Sequence, residues 1–278
     1  MLILNLDREF KPYMGEEIQF ESSVFSGGEP HVKLKSEIEN GTQVTVTTRI
    51  RCFNDFGMLL VAVDALKRTG AVLDKLFIPY FPGARQDRLM VKGEPLTVKL
   101  YAELINNLGF RVVQVFDPHS EVTSALLNNC ETIVNHQFVS LTLKMIGHDV
   151  CLISPDGGAL KKIDKLSKFL GGIEVIECSK KRNVMNGMIE GFKVYSEDLN
   201  GKNCLIVDDI CDGGATFIGL AKELKMKNAG DLYLAVSHGI FSKGIEGFDC
   251  FKSVFCTDSF KQVDFPLVVQ INLAKVLN

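Results

Sequence analysis

Short apolar runs rich in β-branched residues alternate along the chain with segments of helical periodicity, and this alternation limits the possible folds. Strand candidates are Val44–Ile50, Lys75–Tyr80, Arg111–Phe116, Val150–Ile153, Glu174–Cys178, Cys204–Val207, Leu232–Ser237 and Ser253–Cys256. Helical spacing of apolar residues marks Asp55–Arg68, Thr97–Leu108 and Ala215–Lys227. Strands that are apolar throughout and separated by helices indicate parallel sheets covered on both faces, so we predict an α/β fold.

The alternation of strands and helices occurs twice along the chain. A length of 278 residues is enough for two domains of ordinary size. We therefore predict one domain over residues 1–139 and a second over 140–278, although no linker rich in Pro or Ser marks the junction.

The composition is that of a globular protein and gives no sign of a nucleic-acid partner. Hydrophobic residues make up 46% and charged residues 23%, which excludes a disordered, collagen-like or coiled-coil chain. Lys and Arg number 31 against 34 Asp and Glu, so the chain lacks the basic excess of proteins that bind a nucleic-acid backbone. Any bound phosphate would have to be held locally.

Cysteine usage and the N-terminus favour a cytoplasmic protein without a membrane span. The eight cysteines form no CxxC pair, and several lie in apolar runs, as expected of reduced core residues. The first residues lack the basic start of a signal peptide. The best membrane candidate, Met58–Leu66, is short and contains Asp64.

Polar clusters follow four of the predicted strands, at the edge of an open α/β sheet where ligands bind. The most informative cluster combines acids, small residues and a hydroxyl at a helix start: Asp208, Asp209, Asp212, Gly213, Gly214, Ala215 and Thr216. Adjacent carboxylates can accept hydrogen bonds from two sugar hydroxyls, and amides at a helix N-terminus favour a phosphate. The pattern predicts a ribose-phosphate site. An ordinary loop with an Asp cap explains one acid, not three with a glycine pair.

Further polar residues at strand ends are candidates for a metal site. Asp117, His119 and Asp156 offer oxygen and nitrogen ligands to a divalent metal such as Mg²⁺, which needs few protein ligands. For each residue alone, a structural role is an equally good interpretation, with the acids capping helices and the histidine satisfied in a turn.

Two basic clusters are candidates for neutralising phosphate. Arg85 and Arg88 follow a turn bounded by prolines, and we expect a loop there. The run Lys180–Arg182 follows a predicted strand and precedes a stretch rich in Gly and Asn, so we expect a mobile loop. Taken alone, such a short basic run is more typical of a solvated surface.

In their order along the chain, these motifs resemble those of ribose-phosphate pyrophosphokinases. The resemblance covers nearly the whole chain and rests on Phe25–Glu29, Ala84–Arg88, Asp117–His119, Ser154–Ala159, Asp208–Thr216 and Ser237–Ser242. It implies two tandem type I phosphoribosyltransferase-like domains, each a mostly parallel sheet flanked by helices. It also implies a homodimer or higher homo-oligomer with the ATP site at the subunit interface.

The resemblance implies a Mg²⁺-dependent transfer of the β,γ-diphosphate of ATP to the 1-hydroxyl of ribose 5-phosphate, with AMP as the second product. It assigns the ribose phosphate to the cluster Asp208–Thr216. It assigns the nucleotide to Phe25, Glu29, Arg85, Gln86 and His119, the first two reaching from a neighbouring subunit. Mg²⁺ would be held by His119 and Asp156, with Asp117 nearby. Lys180 and Arg182 match the catalytic loop, which replaces their interpretation as a solvated surface.

Departures from the family pattern leave other activities open. Gly27 stands where the family usually has Asp or Asn, and Met90 and Val91 stand where it is more polar. Gly213-Gly214-Ala215 replaces the usual Thr, small residue and Gly, which leaves room for a larger 5-substituted ribose. ADP-ribose, which some divergent relatives use in NAD salvage, is such an acceptor.

Two further alternatives remain. A non-catalytic regulatory homologue is disfavoured because Lys180, Arg182, His119 and Asp156 are all present. A true phosphoribosyltransferase would account for Asp208–Thr216 but not for the other clusters.

Overall fold

The structure is a computed structural model and describes residues 1–182 and 189–277. The chain divides into two compact units, Met1–Val134 and Asn135–Val276. The sequence predicted a division after residue 139, and the assignment of nucleotide to the first half and sugar to the second stays a prediction.

The first unit contains a parallel sheet and a separate antiparallel hairpin. Its strands are β1 (Leu2–Asn5), β2 (Glu16–Glu17), β3 (Phe20–Val24), β4 (Pro30–Leu34), β5 (Gln43–Thr47), β6 (Val72–Ile78), β7 (Val112–Phe116) and β8 (Cys130–Ile133). Its helices are α1 (Phe53–Arg68), α2 (Thr97–Asn106) and α3 (Glu121–Leu126). The sheet has the order β2-β1-β5-β6-β7-β8 with all neighbours parallel, and the β3–β4 hairpin packs on α1.

The second unit contains a sheet of seven strands. These are β9 (Cys151–Ser154), β10 (Val175–Arg182), β11 (Ile189–Val194), β12 (Cys204–Cys211), β13 (Leu232–Gly239), β14 (Ser253–Thr257) and β15 (Val268–Ile271). The helices are α4 (His136–Ile146), α5 (Gly157–Phe169), α6 (Ala215–Met226) and α7 (Leu273–Val276), and a 3-10 turn spans Phe248–Cys250. The order is β11-β10-β9-β12-β13-β14-β15, and only β10 and β11 pair antiparallel.

The central strands of both sheets are buried, as their apolar sequences predict. All eight residues of β13 are buried, and α1 buries Phe56, Leu59, Val63 and Leu66 at helical spacing. Within the described part of the chain, no helix has the length and apolar character needed to cross a membrane.

Each sheet has one point where its strand order reverses, the position at which open α/β sheets commonly bind ligands at the carboxyl ends of their strands. In the second unit the chain builds outward from β9 through β10 to β11, then returns to place β12 on the other side of β9. The reversal therefore lies between β9 and β12. In the first unit it lies between β1 and β5.

Two strands extend beyond the limits predicted from the sequence. β12 continues past Val207 through both aspartates to Cys211, paired in parallel with β13 as far as Gly239. β10 continues through Lys180 to Arg182, paired antiparallel with β11, so the prediction of a loop over this basic run was wrong. Both extensions carry charged residues, which interrupt the apolar pattern by which a buried strand is recognised.

Candidate active site

Two adjacent carboxylates lie on β12 at the point of strand reversal in the second unit. Asp208 is half-buried, and its Oδ1 accepts a hydrogen bond of 2.9 Å from the backbone N–H of Asp209. Burial, and then the charge of Asp209, raise the pKa of Asp208 well above its usual 3.8, with a further contribution from Asp156. This edge of the sheet therefore carries more negative charge than its surroundings stabilise, which favours a hydroxyl donor or a cation.

Asp156, a predicted metal ligand, follows β9 and contacts Lys180, a predicted catalytic residue. Its Oδ1 accepts a hydrogen bond of 3.1 Å from the N–H of Ala159, so it caps α5, as one interpretation of the sequence expected. Its Oδ2 lies 2.5 Å from Nζ of Lys180 on β10. Burial alone would raise the pKa of Asp156, but the hydrogen bond and charge of Lys180 lower it overall.

The loop after β12 leads directly into the N-terminus of α6. Gly214 is the N-cap of α6 and has φ 76°, and a Cβ at this position would lie 2.3 Å from Cζ of Phe248. Only glycine satisfies both conditions. The disfavoured alternative of an ordinary loop capped by an Asp is therefore not what the structure shows. The first N–H groups of α6, from Ala215 and Thr216, have no acceptor within the helix and carry its positive dipole end.

The motif Ser237–Ser242 supports this loop through its backbone, a role the sequence did not assign. The N–H groups of Ile240 and Phe241 donate to the carbonyl of Cys211 at 2.8 and 3.1 Å. The N–H of Ser242 donates to the carbonyl of Asp212 at 3.2 Å. Three hydrogen bonds thus fix the path of the chain at the start of the predicted phosphate loop.

A cavity of about 330 Å³ lies at the carboxyl ends of β6 and β7 in the first unit. It is lined by Arg85, Gln86, Asp87, Arg88, Met90, Glu94, Pro95 and His119. The structure thus brings together Arg85, Gln86 and His119, as predicted for a nucleotide site. Gly83, with φ 71°, lets the loop approach α2, because a Cβ there would lie 2.9 Å from Cγ2 of Thr97.

The two acidic residues that line this cavity, Asp87 and Glu94, interact with neighbouring residues of the same loop. Asp87 is paired with Arg88 at 3.1 Å. Burial alone would raise the pKa of Asp87, but the Ser120 hydroxyl and Arg88 lower it overall. Glu94 accepts hydrogen bonds from the N–H groups of Met90 and Val91 at 3.0 and 3.2 Å, which closes the loop on itself. Arg85 and Gln86 are exposed beside these pairs.

Asp117 and His119 differ in exposure although they are two residues apart. Asp117 is buried with φ 38°, and its N–H donates to the carbonyl of Ile133 at 2.7 Å. It does not cap α3, whose N-cap is Ser120. His119 is exposed and lines the cavity.

Over residues 1–182 and 189–277, no three His, Cys, Asp or Glu side chains group together as a metal site. The predicted ligands Asp117 and Asp156 are carboxylates. They suit Mg²⁺, which is commonly held by one or two carboxylates together with substrate oxygens.

The remaining predicted residues lie elsewhere. Phe25 and Glu29 occupy the exposed tip of the β3–β4 hairpin, where the Phe25 N–H donates to the Glu29 carbonyl at 2.9 Å. Neither is among the described residues that line the cavity of their own chain. The backbone of Arg182 pairs with Ile189, and its side chain lies outside the described residues.

A buried ion pair that the sequence did not reveal marks the strand reversal of the first unit. Nε of Arg49, just after β5, lies 2.7 Å from Oδ2 of Asp7, just after β1. The Arg49 side chain is 0% exposed, and its guanidinium lies 5.3 Å from the ring centre of Phe10.

The predicted fold agrees with a solved structure. The crystal structure of phosphoribosylpyrophosphate synthetase from Mycobacterium smegmatis matches with a TM-score of 0.83 at 22% identity, covering 99% of this chain and 96% of that one. The prediction of two tandem type I phosphoribosyltransferase-like domains, each with a mostly parallel sheet, is confirmed.

Sequence relatives identify the family. The model of the N-terminal domain of ribose phosphate pyrophosphokinase matches residues 11–109. The ribose-phosphate pyrophosphokinase of Mycoplasma pneumoniae is 34% identical over 223 residues, covering 78% of this chain and 67% of that protein. The enzyme of the same name from Mycoplasma genitalium is 31% identical over 263 residues, covering 90% and 77%. These relatives show that the chain belongs to the ribose-phosphate pyrophosphokinase family.

Proposed function

We propose that the protein transfers the β,γ-diphosphate of ATP to the 1-hydroxyl of ribose 5-phosphate, giving phosphoribosyl diphosphate and AMP. The observation that carries the proposal is the pair Asp208 and Asp209 followed by the α6 N-terminus, in a chain of this family. ATP is an intracellular cosubstrate, so the proposed activity places the protein in the cytoplasm.

The acceptor is held by the loop that follows the acid pair. Asp208 and Asp209 accept hydrogen bonds from the two sugar hydroxyls, which relieves the repulsion that raises the pKa of Asp208. The N–H groups of the loop Asp212–Thr216 and the Thr216 hydroxyl bind the 5-phosphate. This arrangement leaves the 1-hydroxyl as the position to be substituted.

The nucleotide is assigned to the first unit. A volume of about 330 Å³ is at the lower end of small-molecule sites, and Arg85, Gln86 and His119 supply charge and hydrogen-bond donors. Phe25 and Glu29 of a neighbouring subunit frame the adenine in this proposal, because on the isolated chain they sit at an exposed hairpin tip. The proposal therefore requires a homodimer or a higher homo-oligomer.

Mg²⁺ is the metal in this proposal. Asp117 and His119 are candidate ligands on the nucleotide side, and Asp156 is a candidate ligand on the acceptor side. When bound, it neutralises phosphate charge and polarises the phosphoryl oxygens. The neighbouring carboxylates of Asp208 and Asp209, which raise the pKa of Asp208, favour a cation on the acceptor side.

Lys180 and Arg182 stabilise charge during the transfer. The oxygen of the 1-hydroxyl attacks the β-phosphorus of ATP, the bond from that phosphorus to the AMP oxygen breaks, and the hydroxyl proton is released. Negative charge therefore grows on the leaving AMP phosphate. Lys180, placed on β10 and held at Asp156 by a contact of 2.5 Å, supplies a positioned positive charge of the kind that stabilises phosphoryl transfer.

The test is phosphorus NMR of purified protein with ATP, Mg²⁺ and ribose 5-phosphate. We expect AMP and a sugar 1-diphosphate in equal amounts, and only when all three components are present. A parallel sample contains ADP-ribose instead of ribose 5-phosphate. Activity with ADP-ribose alone would show that the acceptor is misassigned. ADP in place of AMP, or no product with either sugar, would refute the proposed function.

A further inference from the structure

We propose that Lys243 binds the 5-phosphate of the acceptor, as a cation laid across the phosphate loop. The inference rests on the proposed function, since it adds a binding residue to the acceptor site described above. Lys243 lies just beyond the motif Ser237–Ser242 and follows a residue that is hydrogen-bonded to that loop.

The side chain of Lys243 lies against the backbone of Gly213. A Cβ built on Gly213 would lie 3.4 Å from Cδ, 3.6 Å from Cε and 3.8 Å from Cγ of Lys243. Three consecutive carbons lie within 4 Å of this Cβ position, so the aliphatic part of Lys243 passes over the open face of Gly213. The ammonium group is one bond beyond Cε, and it is therefore held beside the first residues of the phosphate loop.

The path of the backbone holds Lys243 in this place. The N–H of the preceding residue, Ser242, donates to the carbonyl of Asp212 at 3.2 Å, and Phe241 is fixed to the carbonyl of Cys211. The segment that carries the lysine and the loop that binds phosphate thus form one hydrogen-bonded unit. A displacement of either segment would break these bonds.

The charge of Lys243 is available to a ligand. Across residues 1–182 and 189–277, Lys243 forms no ion pair, and its side chain is exposed. A phosphate dianion at the N-terminus of α6 meets amides and the Thr216 hydroxyl, which carry partial charges only. A lysine ammonium beside them adds a full positive charge and a strong hydrogen-bond donor.

Lys243 lies over the face of Gly213 from which a side chain would project, and a Cβ there would only come into ordinary van der Waals contact with it. The loop residues Gly213 and Gly214 leave space over the backbone, and the aliphatic part of Lys243 occupies the space over Gly213. The space that the sequence analysis attributed to a larger acceptor is therefore filled, at least over Gly213, by the protein itself.

The test compares Lys243→Ala and Lys243→Arg with Lys222→Ala. Lys222 is an exposed lysine on α6 outside the site, and its replacement by Ala changes the net charge by the same amount. We expect Lys243→Ala to raise the KM for ribose 5-phosphate about 10-fold or more, as for a lost hydrogen bond to a charged group. Turnover and the KM for ATP should change less than about twofold, and Lys243→Arg should restore most of the affinity.

Titration calorimetry with ribose 5-phosphate makes the test independent of turnover. Lys243→Ala should weaken binding of ribose 5-phosphate by the same factor as it raises the KM. If Lys243→Ala behaves like Lys222→Ala in calorimetry, the inference is wrong while the proposed function stands. If the wild type binds ribose 5-phosphate but forms no AMP, the proposed function fails and calorimetry still decides on Lys243. No binding by the wild type would overturn both.

Discussion

The two units have comparable sheets but opposite electrostatics at the point of strand reversal. In the first unit the reversal is occupied by Arg49 and Asp7, a buried pair of opposite charge stacked on Phe10. In the second unit it carries Asp208 and Asp209, two like charges, and burial with the charge of Asp209 raises the pKa of Asp208. Among the described residues, Asp208 has no cationic partner.

This difference in charge suggests a structural role for the strand reversal of the first unit and a ligand-binding role for that of the second. Opposite charges that are buried and paired compensate each other's charge. Like charges at a strand end are unfavourable until a ligand supplies donors or positive charge. In the first unit the candidate ligand cavity is accordingly displaced to the ends of β6 and β7. The position of a candidate binding site therefore depends on the charges at the strand ends as well as on the strand topology.

The largest expected effect is on the stability of the first unit. Arg49→Ala should lower the free energy of unfolding by about 3–5 kcal/mol, because it removes a fully buried guanidinium and leaves the carboxylate of Asp7 with only the longer contact of 3.5 Å to Arg51. Arg68→Ala is the matched control, since Arg68 pairs with Asp64 at an exposed site on α1 and should cost less than about 1 kcal/mol. Equal losses in denaturant unfolding would contradict the structural role.

The next effect concerns turnover in the second unit. Lys180→Ala should reduce kcat about 10²–10³-fold, equivalent to about 2.7–4 kcal/mol, with little change in the KM for ATP. The charge is needed mainly as the leaving phosphate forms. Lys193→Ala, an exposed lysine on the neighbouring β11, should leave kcat almost unchanged. Parallel losses in kcat and in ATP affinity would count against the assignment.

A smaller effect is expected from one member of the acid pair. Asp209→Ala should weaken the affinity for ribose 5-phosphate about 10–100-fold, as expected for a lost hydrogen bond to a charged group. The affinity for ATP should be unchanged. Asp249→Ala, at an exposed position of the 3-10 turn, removes the same charge outside the site. Steady-state kinetics with each substrate varied separately will measure the KM for ribose 5-phosphate and the KM for ATP. An unchanged KM for ribose 5-phosphate in Asp209→Ala would argue against a sugar-binding pair.

The smallest effect is a gain in stability. Asp208→Asn should raise the free energy of unfolding by about 0.5–2 kcal/mol at neutral pH, the usual gain from relieving an unfavourable charge. Thermal unfolding of variant and wild type across pH measures it.

The sign of the pH dependence follows from the raised pKa of Asp208. Because the folded state holds this proton more tightly than the unfolded state, the wild type loses stability as pH rises from 3.8 through the raised pKa. The advantage of Asp208→Asn should therefore be complete above that pKa and vanish below pH 3.8. An advantage that is independent of pH would point to packing instead of charge.

The phosphate loop could be predicted from sequence because its parts are adjacent. An apolar strand, two acids, small residues and a hydroxyl stand in one stretch, and the structure places α6 directly after them. The cavity residues Arg85 and Gln86 are likewise sequence neighbours, and they meet His119 because β6 and β7 are adjacent.

The remaining contacts could not be predicted because they depend on which strands become neighbours. Arg49 meets Asp7 only because β5 lies beside β1, a strand of four residues that is too short to show a periodic pattern. Lys180 reaches Asp156 only because the charged end of β10 continues as a strand beside β9. Lys243 lies far from Gly213 in sequence, and its contact depends on the pairing of β12 and β13.

The most direct test is calorimetric unfolding of the wild type and Asp208→Asn, each with and without ribose 5-phosphate. The wild type should gain about 2.7 kcal/mol of stability when the ligand is present at 100 times its dissociation constant. Asp208→Asn should start from a higher melting temperature and gain far less from the same ligand concentration. If the variant gains as much as the wild type, the acids on β12 do not hold the sugar.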